Sequence, residues 1–359
     1  MIIAELPGYL SRLGGEEYLG LIIALFTLTA GLSRPFSGKL TDRWGRIPVM
    51  IIGALVSGIG SLLYPFVSSI FGFFLVRLIH GFSTGFKPTG TSAYVADLVP
   101  MNKRGEALGI LSMFATIGSA SGPVLGSAVY LSYDINTLFY VSAVFAVASV
   151  AILLGMKETL EVREKFTWKL LKITRNDIYE PSVLVPSVVM LLTTFSFGTV
   201  VALSPDFSDF LGVENKGLFF SFFTGSSLLV RIIGGKISDK YGRRVVLKIS
   251  TATLFICMLV IGFATTQAQF FTGAFLFGLG YGLNSPTLFA WAIDRTPDAS
   301  RGKGISTIFI FLEIGIGLGA LITGSMYQGV DSRFPLIFGI SSIFSLLAFL
   351  YITFIAKNE

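Results

Sequence analysis

The chain has 359 residues, 53% of them apolar and 13% charged, with 34 Phe, 40 Gly and a net charge of +6. Soluble domains carry about a quarter of their residues as charges, so a soluble globular protein is excluded. Repeated apolar runs of about 20 residues predict a polytopic α-helical membrane protein, and the lack of alternating ten-residue runs argues against a β-barrel.

Eleven spans are read along the chain: 18–38, 48–67, 70–97, 104–131, 136–156, 182–203, 215–236, 245–265, 268–294, 301–327 and 334–356. Met1 runs straight into Ile2-Ile3-Ala4-Glu5-Leu6-Pro7, so no cleavable signal peptide is expected. The one long polar break, about 157–181, carries Lys157, Arg163, Lys165, Lys169, Lys172 and Arg175. Its interspersed apolar residues, Trp168 and Leu171 among them, suggest a helix lying on the membrane surface. The break divides the chain into a first bundle (1–156), a linker (157–181) and a second bundle (182–359). The single cysteine, Cys257, permits no intrachain disulfide and no metal cluster is expected.

The basic residues are placed unevenly. Of 27 Lys and Arg, 20 fall in one set of loops, Lys357 included, and the opposite loops hold only Arg12, Lys216 and Arg333. By the positive-inside rule the rich side is cytoplasmic, which puts the linker and the C-terminus in the cytoplasm. The positive charge is thus a topology signal, and no nucleic-acid partner is expected. A multi-pass protein of the plasma membrane, surrounded by lipid and acting as a monomer, is the expectation.

A charged stretch occurs twice. Gly38-Lys39-Leu40-Thr41-Asp42-Arg43-Trp44-Gly45-Arg46 is matched 197 positions on by Gly235-Lys236-Ile237-Ser238-Asp239-Lys240-Tyr241-Gly242-Arg243, with Arg244 following. Each copy is expected to be a short turn joining two spans. The register extends further: Arg34 matches Arg231, Gly81 and Gly85 match Gly278 and Gly282, and Asp97, Pro100, Arg104 and Gly105 match Asp294, Pro297, Arg301 and Gly302. Gly118 and Gly122 match Gly315 and Gly319. One ungapped offset over about ninety residues means two halves on one plan, a transporter architecture. Pro7-Gly8-Tyr9-Leu10 also aligns, with one residue of slip, to Pro205-Asp206-Phe207-Ser208. A full span precedes the second segment and only six residues precede the first. Eleven spans are therefore expected to stand for twelve, the first being lost to a late start or a truncation.

These stretches resemble the major facilitator superfamily, and within it the twelve-span drug:proton antiporters. Gly38, Asp42, Arg43, Gly45 and Arg46 are similar to the family's loop signature, and so are Gly235, Asp239, Gly242, Arg243 and Arg244. Arg77-Leu78-Ile79-His80-Gly81 resembles the fourth-helix motif. Gly109, Gly118, Gly122, Pro123 and Gly126 resemble the antiporter motif of the fifth helix, with Ser127 in place of its last Gly. Met156-Lys157-Glu158-Thr159-Leu160 resembles the ending of the sixth helix, with its Pro lost. The resemblance implies an all-α fold of two pseudo-symmetric six-helix bundles, here with eleven of the twelve helices. It also implies that the loop signature is a latch favouring an outward-open state.

The residues themselves support such roles. Asp42 and Asp239 can sit on a neighbouring helix N-terminus or pair with Arg, and the signature arginines can reach Asp97 and Asp294. With Arg104 and Arg301 these residues are the expected latch. At 100° per residue Arg77, His80, Thr84, Lys87, Pro88 and Thr91 share one face, expected to look onto a central cavity because buried cations avoid lipid. His80 has the ordinary range for titration near neutral pH. Glu313 is the one carboxylate placed near a bilayer midplane and is the expected proton carrier. Tyr281, Asn284 and Trp291 complete the expected cavity, while Asp206 and Asp209 are read as solvated. The small residues of span five permit close helix crossing, and Pro123 permits a kink.

No phosphate-binding loop and no nucleophile–base set is visible, so neither ATP-driven transport nor enzymatic activity is expected. The expectation is proton-coupled export of a small organic solute by alternating access, with the proton gradient as energy source and no cofactor. The cations of the expected cavity favour an anionic or zwitterionic solute. Uptake by symport, or a transport-inactive receptor on the same fold, are the alternatives.

Overall fold

The computed structural model describes residues 1–15, 18–213 and 217–355; Lys216 and Lys357 of the charge tally lie outside them. Among the described residues there are thirteen α-helices and no strand. Two are short, α1 (Leu6–Arg12) and α7 (Arg175–Ile178). The long ones are α2 (Leu19–Arg43), α3 (Arg46–Leu63), α4 (Ile70–Leu98), α5 (Arg104–Ser132), α6 (Ile135–Leu154), α8 (Leu184–Phe210), α9 (Gly217–Tyr241), α10 (Arg243–Gly262), α11 (Gln267–Arg295), α12 (Arg301–Tyr327) and α13 (Phe334–Leu350). Each long helix overlies one expected span. Among the described residues, seven stretches are long and apolar enough to cross a bilayer on composition alone, or eight if the two parts of α9 are one span. α2, α4 and α11 fall short because they carry polar groups such as Arg34, Arg77, Lys87 and Asn284 along their length.

Two expectations are corrected. The charged stretches are not loops. α2 continues through Asp42 to Arg43 and α9 through Asp239 to Tyr241, so most of each motif is the last two turns of a helix. The chain reverses only at Gly45 (φ 145°) and Gly242 (φ 90°), backbone conformations that a side chain disfavours. The linker, in turn, forms no surface helix of useful length. It has a 3₁₀ turn, Trp168–Leu171, and the single turn of α7. Its Leu170 leaves any amphipathic face to pack with Leu40, Val49 and Phe86.

The chain forms two compact units. The first comprises Met1–Leu98, Ile117–Glu180 and Pro297–Thr307; the second comprises Val99–Thr116, Pro181–Thr296 and Ile308–Glu359. Each unit thus takes the opening turns of a helix from the other sequence half. In the first unit α4 packs against α2 and α3, and α3 against α6. In the second, α11 packs against α9 and α10, and α10 against α13. The equivalences α2/α9, α3/α10 and α4/α11 follow the 197-residue offset. Close crossings rest on glycine: a Cβ on Gly38 would stand 2.8 Å from Ser306 Cβ, and one on Gly109 would stand 2.8 Å from the Arg231 carbonyl.

Candidate functional site

In the first unit the carboxylate of Asp42, on the last turn of α2, accepts from the backbone N–H of Gly302 at 2.5 Å and of Lys303 at 2.8 Å. These amides belong to the first turn of α12, where no intrahelical acceptor exists and the helix dipole favours an anion. Arg46 opens α3. Its Nε donates to Asp97 at 2.9 Å and its Nη1 to the Thr41 carbonyl at 2.5 Å, and it lies 3.7 Å from Asp42. Asp97 also accepts from Arg301 and, at 2.7 Å, from the Thr159 hydroxyl. Glu158 caps the start of α3, accepting from Arg46 N at 3.1 Å and Ile47 N at 3.0 Å. The turn at Gly45 leaves room for that carboxylate; a Cβ there would stand 3.1 Å from Glu158 Cδ.

The second unit repeats the arrangement. Asp239 accepts from Gly105 N and Glu106 N, each at 2.9 Å, on the first turn of α5. Arg243 bonds Asp239 and donates from Nε to Asp294 at 2.9 Å, and Arg104 reaches Asp294 at 3.2 Å. Gly235 permits the approach, since a Cβ on it would stand 2.8 Å from Glu106 Cα. Ten of the expected latch residues therefore fall into two sets of five, 197 positions apart: Gly38, Asp42, Arg46, Asp97 and Arg301 in one, and Gly235, Asp239, Arg243, Asp294 and Arg104 in the other. Gly45 and Gly242 supply the turns. Arg43 and Arg244 stand outside both sets: Arg43 meets Glu164 at 3.5 Å with both half exposed, and Arg244 donates to the Ile352 carbonyl at 3.0 Å. Sequence reasoning did not single out Glu158 and Thr159 as latch residues. Their signal was there, in the sixth-helix ending.

The other expected residues are placed separately. Arg77 is 1% exposed. It donates to the Ile22 carbonyl from Nε (3.0 Å) and Nη2 (2.9 Å) and lies over the Phe26 ring. His80 Nε2 lies 3.2 Å from Ser57 Oγ, with the ring between Phe26 and Tyr64. Lys87 is exposed, its amine 2.7 Å from Ser149 Oγ. The polar face of α4 is thus directed at α2, α3 and α6 in turn. In the second unit Tyr281 stacks on Phe197, with ring centroids 4.8 Å apart. Asn284 is fully buried, donating to Thr193 Oγ1 at 2.8 Å and accepting from Ser250 Oγ at 3.2 Å. Trp291 packs with Val183, Leu288 and Ile308. Glu313 is half-buried on α12. Of the span-five motif, Gly109 meets α9, Gly122 and Gly126 lie beside Met1, and Gly118 is open. Pro123 sits inside α5 without ending it.

Two tandem helical units carrying one repeated charged motif are the build of a secondary transporter. A profile for the Major Facilitator Superfamily matches residues 1–214 and 186–359, and the chain belongs to that family. It is a multi-pass membrane protein. It is 29% identical to the multi-drug resistance efflux pump PmrA of Streptococcus pneumoniae, over 93% of this chain and 86% of that one. It is 23% identical to the staphylopine export protein of Staphylococcus aureus, over 85% and 79%. The human organic anion transporter MFSD10 (TETRAN) shares the fold, with a TM-score of 0.81 at 18% identity, covering 96% of this chain and 87% of that one.

Proposed function

We propose that the protein exports small organic solutes across the plasma membrane by alternating access, driven by protons moving the other way. The observation that carries this reading is the duplicated latch. In each unit a carboxylate at the end of one helix holds the first turn of a helix from the other sequence half, and an Arg–Asp pair closes beside it. Ion pairs of this kind can be made in one arrangement and released in another, which is what a two-state carrier requires. The direction of transport is supported by the glycine series of α5 and by relatives named for efflux and export. On this reading the latch side is cytoplasmic and Glu313 carries the proton. Lys87, the exposed cation of α4, favours anionic or zwitterionic solutes, whereas Arg77 is engaged by the Ile22 carbonyl; the chain works as a monomer.

The test is counterflow. The full chain in sealed vesicles, with an imposed proton gradient and a panel of fluorescent organic anions and cations, is expected to move dye and protons in opposite directions. Movement in the same direction would establish uptake by symport instead. A binding response with no flux of any dye would point to a receptor.

A further inference from the structure

The two copies of the charged motif differ in their counter-charges. In the second unit Lys236 pairs at 3.2 Å with Glu106 on the first turn of α5. The corresponding positions in the first unit are Lys39 and Lys303, two cations where the second unit has an ion pair. They are brought together, since a Cβ on Gly38, next to Lys39, would stand 3.1 Å from Lys303 Cα. Like charges gathered at one helix terminus repel.

The linker supplies two carboxylates there. Asp177 takes Lys39 Nζ at 2.9 Å, and Glu180 takes Lys303 Nζ at 2.8 Å. The backbone adds to this. Lys39 Nζ donates to the Lys172 carbonyl at 2.8 Å, and Glu180 N donates to Thr307 Oγ1 at 2.9 Å. Thr174 fixes Asp177 through a capping box. The Lys39 and Asp177 side chains are 9% and 15% exposed, against 65% and 34% for Lys236 and Glu106. The linker pairs are therefore shielded, whereas the direct pair is largely screened by solvent and salt.

We propose that residues 172–180 are a working strap: Asp177 and Glu180 supply the negative charge that α12 lacks where α5 has Glu106, and so position the start of α12 against α2. Releasing Gly302–Thr307 from Asp42 then requires the strap to let go of Lys303. The linker is thereby a control point of the cycle in one unit and not the other. The consequence for transport rests on the carrier reading, but the positioning itself does not.

Amide hydrogen exchange on the full chain in lipid nanodiscs tests this without a substrate. In the Asp177→Asn/Glu180→Gln variant, amides at 302–307 are expected to exchange about tenfold faster, with those at 105–110 unchanged. Adding Lys303→Glu rebuilds the direct pair of the second unit and should restore slow exchange at 302–307. Unchanged exchange at 302–307, an equal rise at both segments, or failure of Lys303→Glu to restore protection would each overturn the proposal. Should the double variant not fold, Glu180→Gln alone is read by the same criteria. A positive result here alongside absent counterflow would sink only the export reading.

Discussion

Arg104 reaches Asp294 across 190 residues of sequence at 3.2 Å, and Arg301, its counterpart in the repeat, bonds Asp97. Each repeat thus lends its arginine to the other repeat's acid. The acids are held at both ends of the exchange, because Arg46 and Arg243 bond the same two carboxylates from within their own halves. The exchange of arginines between the two acids is the same in both copies, although the flanking lysines are balanced differently.

Asp42→Asn and Asp239→Asn are expected to weaken the same step. Each loses charge-assisted bonds to two backbone amides, each bond contributing about 1.5–3 kcal/mol. Asn can accept from one amide only by turning its own NH₂ toward the other. Either variant should insert into the membrane yet lose dye flux by about tenfold or more, and the amides at 302–303 (for Asp42→Asn) or 105–106 (for Asp239→Asn) should exchange faster with solvent. Unaltered flux with unaltered exchange would show that these carboxylates are anchors and not gates.

Gly45→Ala should damage the first latch through two costs at once. The added Cβ crowds the Glu158 carboxylate, and φ of 145° is unfavourable for any residue with a Cβ. A loss of about 1–3 kcal/mol is expected, read as a lower Tm of the detergent-solubilised protein. Gly242→Ala, where nothing lies within 4 Å of the added Cβ, should lose through backbone strain alone at φ 90°, and a Gly45→Ala loss that shrinks when Glu158 is also truncated would isolate the crowding of that carboxylate.

Asn284→Ala is expected to lower stability before it alters transport. Its amide ties α8 to α10 through Thr193 and Ser250; truncation removes both bonds and leaves a void, while the two hydroxyls keep the carbonyls of their own helices. A cost of about 1–3 kcal/mol follows. A changed solute affinity with an unchanged Tm would instead place Asn284 at the solute.

The strap has a defined pH limit. Burial acts to raise the Asp177 carboxyl, but hydrogen bonds from Thr174 and Lys39, with the Lys39 charge, outweigh it and bring it down to about 2. Its folded value is therefore below the ordinary value of about 3.9. The contribution is complete above about pH 4 and is lost as the pH falls through about 2. Wild type should lose part of its protection at 302–307 across that window, and Asp177→Asn a smaller part, since Asp42 and Glu180 also hold this segment and are protonated in both proteins. A loss centred near neutral pH in both proteins would assign the sensitivity to another group.

Sequence alone determined the membrane class, the long helices and the doubled plan, because these rest on local hydrophobicity and on one offset that any reader can measure. It also named the acids and bases that the fold brings together at Asp97 and Asp294, since both copies keep both signs. What tertiary structure decided was where each side chain ends up along a helix whose every face is apolar enough to be buried. Asn284 and Trp291 became packing, and Arg77 became a donor to a carbonyl of α2. Pairing the start of α12 with α2, some 260 residues away, follows from no local pattern. Nor does the use of Asp177 and Glu180 to neutralise two lysines: a counter-charge acts through distance in space, and only the folded chain sets that distance.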